Sequence, residues 1–91
     1  MKKNRFYLEI FNVPSDTNQS HLSVQCDSIK EWKLDSIQTI EGSLVAIIHF
    51  TTIEPIDFQS LFGLGISVSA TNHEINGSNL FLGDFNRDSI Q

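Results

Sequence analysis

Cys26 is the single cysteine among 91 residues, which excludes an internal disulfide. No basic residue stands near it in sequence to draw the thiol toward thiolate, so it reads as a small core filler. Lysine and arginine are also scarce, six against eleven Asp and Glu, for a formal net charge of −5. Three of the six, Lys2, Lys3 and Arg5, fall in the first five positions. The pattern predicts a basic N-terminal arm (1–4) on an acidic body, a weak form of the footprint that polyanion binding requires. The acids are scattered rather than blocked, as on a solvated surface. Long apolar runs are missing too. Leu44 to Ile48 is the longest and is far too short to cross a bilayer. The apolar stretch after Arg5 is broken by Glu9 and Asn12, so it lacks the core of a signal peptide. The expectation is an intracellular chain, of cytoplasm or nucleus, that is not secreted.

Catalytic constellations are equally absent. His21, His49 and His73 share no ligand spacing, and one cysteine cannot complete a zinc set. No metal and no cofactor is expected. No serine sits in a nucleophile elbow. Gly63-Leu64-Gly65 follows a predicted helix instead of preceding one, so it reads as a cap and loop rather than a phosphate cradle. Asn76-Gly77-Ser78 matches a glycosylation sequon, but a turn explains it. The chain is not expected to be an enzyme.

What is present is one domain's worth of apolar residues, with seven Phe and enough length for a single core. A first strand is predicted over about 5–12, stopped by Pro14-Ser15-Asp16. Residues 16–31 carry two patterns. Leu22, Cys26 and Ile29 share a helical face, while Leu22, Val24 and Cys26 alternate as in a strand. Taken with the rest of the chain, helix is preferred. A second strand spans about 32–40, with Trp32 facing the core. The third, Leu44 to Phe50, is apolar almost throughout. A second helix is expected from Pro55, with Phe58, Leu61 and Phe62 on one face and Gly63 taking the left-handed position at its end. An extension with alternating Ile66, Val68 and Ala70 follows. A hairpin turning at Asn76-Gly77 leads to a last strand through Leu82.

The order is βαββαβ, an α+β fold with a four-stranded antiparallel sheet and two helices on one face. The alternative is an all-β sandwich in which 21–26 and 66–70 are full strands. Several fragments carry a family resemblance. Leu8-Glu9-Ile10-Phe11-Asn12-Val13, Leu44-Val45-Ala46-Ile47-Ile48-His49-Phe50 and Ile75-Asn76-Gly77-Ser78-Asn79-Leu80-Phe81-Leu82, in this order, resemble the signature strands and last hairpin of the RNA recognition motif. The resemblance covers about residues 5–85 of a single domain placed at 5–86, with 87–91 as a polar tail. It implies a ferredoxin-like fold whose open sheet face stacks bases on aromatic rings.

Alternation places Tyr7, Glu9, Phe11, Val45, Ile47, His49 and Phe81 on that face. Glu9, Val45 and Ile47 stand where the family carries aromatics, so the usual chemistry is degenerate here. The face is still apolar enough to need a partner, or a cover from the C-terminal segment or the 63–70 loop. The resemblance implies a non-enzymatic binding module of RNA processing, engaging a protein partner, single-stranded RNA, or both. Lys2, Lys3, Arg5 and Arg87 would contact phosphates if RNA binds. The alternative is a small acidic stand-alone inhibitor, such as an immunity or phage counter-defence protein, acting by protein–protein binding.

Overall fold

The computed structural model describes residues 2–75 in full and residues 78–82 by backbone and register. Six strands appear in chain order: β1 Lys2–Phe11, β2 Leu22–Gln25, β3 Ile29–Ile40, β4 Ser43–Asp57, β5 Ser67–Ala70 and β6 Ser78–Leu82. The described helical structure is confined to two 3₁₀ turns, Gln19–His21 and Phe58–Gly63. The βαββαβ expectation is therefore overturned. The protein is built of strands, in a four-stranded sheet ordered β3-β4-β1-β6 and a two-stranded sheet β2-β5. All described pairings are antiparallel. The second layer is a short ribbon, not the full sheet of a sandwich.

The first expected helix fails because residues 16–31 hold the strand pattern more tightly. Ser, Asn, His and Val offer little helix propensity, while Leu22 and Val24 bury their side chains against the larger sheet as Gln25 stays exposed. Two tight turns form before β2, one closed by the Thr17 N–H donating to the Pro14 carbonyl at 3.1 Å and one at Gln19–His21. The Asn18 side chain accepts from the Ser20 N–H at 3.0 Å, and the Asn18 N–H donates to His21 Nδ1 at 3.1 Å.

The second expected helix fails at Pro55. Strand β4 runs straight through it. Lys3 pairs with Ile56 and Arg5 with Thr51, so the four residues 52–55 oppose Asn4 alone. This wide bulge takes Pro55 out of the ladder, where its missing N–H costs nothing. The helical spacing of Phe58, Leu61 and Phe62 survives only as a 3₁₀ turn capped by Asp57, whose Oδ1 accepts from the Ser60 N–H at 3.1 Å. The Ser60 hydroxyl and then its N–H hold the Asp57 carboxyl below the usual carboxylate range. Leu61 alone of that turn is fully buried. The positive φ expected at Gly63 belongs to Gly65, at 71°.

The core lies between the layers. Phe6, Leu8 and Ile10 of β1 meet Ala46, Ile48 and Phe50 of β4, and Leu22, Val24 and Leu61 close over them. The Phe6 and Phe50 rings sit 5.8 Å apart and tilted by 31°. Residues 2–4, expected as an arm, belong to β1, where Lys2 stands opposite Asp57. No helix among the described residues is long and apolar enough to cross a membrane. The Asn76-Gly77 turn and the tail 87–91 lie outside the described residues.

The tight hairpin turn that is described joins β3 to β4 at Glu41-Gly42, with φ of 52° and 83° between paired Ile40 and Ser43. Two positive φ values are the requirement of a type I′ turn, which favours Asn-Gly. A glutamate there is strained. Glu41→Asn is expected to raise stability by up to about 1 kcal/mol, read as a higher urea midpoint with unchanged slope. A lower midpoint would contradict the turn assignment.

Candidate functional site

The face of the large sheet opposite the core holds most of the side chains singled out in the sequence, and its centre is closed. Val45 and Ile47 are 1% and 2% exposed, and Glu9 is 1% exposed. Glu9 sits opposite Ile47 in register and is engaged in an interaction, as are Arg5 and Tyr7. Val45 and Ile47, expected in an open apolar patch, and Glu9, expected beside it on the open face, are thus buried. Tyr7 and Phe11 are half-buried. The Tyr7 ring meets the His49 imidazole edge-on, centroids 6.0 Å apart at 64°. Phe81 stands opposite Tyr7 in register. Phe11 lines a cavity of about 230 Å³ beside the Glu41-Gly42 turn, with Val45 and Ile40. Lys2, Lys3 and Arg5 are exposed along β1. Arg87 lies outside the described residues.

One end of this face is chemically distinct. Lys33 of β3 pairs directly with His49 of β4, which in turn pairs with Tyr7 of β1. Arg5 is two positions along β1, and a cavity of about 300 Å³ is lined by Arg5, Glu31, Trp32, Lys33 and His49. Burial first, then the positive charges of Lys33 and Arg5, hold the His49 imidazole below its ordinary value, against the opposing pull of Asp35 and Glu31. Lys33 carried no signal of its own in the sequence. It alternates with Trp32 and Leu34, which pack toward the core, and that alternation assigns it to the His49 face once the register is known.

A second concave site lies at the bulge of β4. The Ile53 N–H donates to the Ser28 carbonyl at 2.9 Å, and the Cys26 thiol donates to the Leu64 carbonyl at 3.3 Å. These contacts draw the Asp27-Ser28 turn, the 52–56 bulge and Leu64 around a groove of about 230 Å³. Ile53, Ile56 and Leu64 supply apolar walls, and Asp27 and Glu54 supply acid. Ile53 is 62% exposed, and Phe62 on the adjoining 3₁₀ turn is 69% exposed with its ring edge-on to Phe58 at 5.3 Å. Sequence reasoning passed over this groove because it read Ile53–Pro55 as the start of a helix.

No family model, no curated protein and no solved structure matches this chain. The resemblance of its motifs to the RNA recognition motif therefore has no relative behind it, and functional inference rests on the geometry of the two sites. Among the described residues no group of three or more His, Cys, Asp or Glu is placed to hold a metal ion.

Proposed function

We propose that the chain is a non-enzymatic protein-binding module that presents the Asp27–Ile53–Leu64 groove to a basic, apolar segment of a partner. The observation that carries this reading is the exposure of Ile53 on the wall of a groove that also holds Asp27 and Glu54. Large apolar side chains left in water beside a concavity are a recurrent mark of contact surfaces. The two carboxylates, on a chain of net charge −5, select a partner segment in which Lys or Arg flanks an aliphatic or aromatic residue. They also steer its approach. This is the protein-binding part of both sequence readings, moved from the sheet face to the sheet end. An RNA partner has weaker support, because Glu9, Val45 and Ile47 at the centre of the face are buried and offer no platform for stacked bases.

The test is a titration of labelled protein with short synthetic peptides in which Lys-Arg or Glu-Glu flanks a Leu-Phe pair, with oligouridine as a third ligand. Amide shifts are expected at Asp27, Ser28, Ile53, Glu54 and Leu64 with the basic peptide only. Ile53→Asp should weaken that binding by about tenfold or more without lowering stability. Shifts absent from the groove, or equal for the acidic peptide, would overturn the reading.

A further inference from the structure

We infer that the cavity between Lys33, His49 and Arg5 is a binding site for a phosphate group. It is separate from the groove assigned to a protein partner, and its test does not depend on that assignment. Three strands bring two cations and an imidazole to one end of the face: Lys33 on β3, Arg5 on β1 and His49 on β4. Directly opposed residues of an antiparallel pair hold their Cβ atoms about 4.5–5.5 Å apart, so the Lys33 ammonium and the His49 ring share one small volume. Protonation of His49 sets like charges side by side, which is unfavourable on a sheet, and an anion between them relieves the repulsion.

The cavity, at about 300 Å³, has room for a tetrahedral oxyanion and its first waters. Trp32, packed against the core, also borders the cavity, and the Tyr7 ring abuts His49 from β1. Glu31 also lines the cavity and Asp35 lies near enough to act on His49. These two carboxylates oppose an anion, so selectivity falls to a ligand of high charge density that takes donors from several sides at once. Arg5 has an interaction of its own, and the inference rests on Lys33, His49 and the cavity they share.

Burial first, then the charges of Lys33 and Arg5, act against protonation of His49. A bound dianion reverses that balance. Phosphate should therefore raise the His49 titration midpoint, read from the ring carbon–proton resonances, by about half a pH unit or more relative to chloride at equal ionic strength. His21 and His73 serve as internal references and should not move. Lys33→Ala should abolish the phosphate effect, and Glu31→Gln should enlarge it. Trp32, the single tryptophan, gives an independent fluorescence titration with the same ligand. Phenyl phosphate serves as a second arm. Tighter binding than inorganic phosphate assigns the site to a phosphate ester, and equal binding assigns it to the free ion. A His49 midpoint unmoved by either ligand, a common movement of all three histidines, or a rise that persists in Lys33→Ala would each overturn the inference.

Discussion

Phe50→Ala is expected to remove about 3–5 kcal/mol of folding free energy, a large part of the roughly 5–15 kcal/mol that holds a domain together. Phe50 is fully buried at the middle of β4 and packs on Phe6 across the β1–β4 pair. It also sits opposite Trp32 of β3. Truncation leaves a cavity at the meeting point of three strands, and neighbours in a paired sheet have little freedom to collapse into it. Equilibrium unfolding in urea reads the effect, with Ile53→Ala as the control, because a side chain 62% exposed should change stability by less than about 0.5 kcal/mol. Equal losses for the two variants would show that β4 does not lie at the centre of the core.

Val24→Asp carries the second large effect and separates two structures directly. In β2, Val24 is 6% exposed and packed in the core cluster, whereas Gln25 points outward. A carboxylate at 24 would be buried without a designed partner, at a cost of several kcal/mol. Gln25→Asp should cost less than about 0.5 kcal/mol. On a helix with Leu22, Cys26 and Ile29 inward, residue 24 would lie roughly 200° around the axis from residue 22 and would tolerate the acid. Loss of the folded state in Val24→Asp, with Gln25→Asp unharmed, is the outcome that the strand requires. A stable Val24→Asp variant would restore the helix.

The residues that misled the sequence reading did so for identifiable reasons. Leu22 belongs to both the helical and the alternating pattern of 16–31, and no strong helix former breaks the tie. The choice is made by the sheet beneath, whose Phe6, Leu8 and Ile48 accept Leu22 and Val24 together. Pro55 was ambiguous because the first turn of a helix and a bulged strand both suit a residue with fixed φ and no N–H. The spacing of Phe58, Leu61 and Phe62 is met by a 3₁₀ turn as well as by an α-helix, since both bring i and i+3 together. The stretch 44–50 was legible because a long apolar run with β-branched residues has few alternatives. Leu8, Ile10, Ala46, Ile48 and Phe50 alternate with Tyr7, Glu9, Phe11, Val45, Ile47 and His49, which puts them together on the core face.

Burial of the opposite face was not legible in the same way. Alternation states which side Val45, Ile47 and Glu9 occupy, not whether that side meets water. The Lys33–His49–Arg5 cluster was further out of reach. It needs the register of three strands, including the irregularities between Leu34 and Ser36 and between Lys3 and Arg5. The Asp27–Ile53 groove depends on the same bulge, through the Ile53–Ser28 hydrogen bond.

The most direct test of the two-layered β architecture is a proton–proton Overhauser map of the β2–β5 pair. The Thr71 N–H donates to the His21 carbonyl at 2.8 Å, which makes the next pair, Leu22–Ala70, and the one two further on, Val24–Val68, the close, non-hydrogen-bonded pairs of the ladder. Strong Hα–Hα cross-peaks at Leu22–Ala70 and Val24–Val68, together with contacts from Val24 methyls to the Phe6 or Phe50 ring, are the predicted result. Sequential amide–amide cross-peaks running through 16–31, with no Val24–Val68 contact, would contradict it.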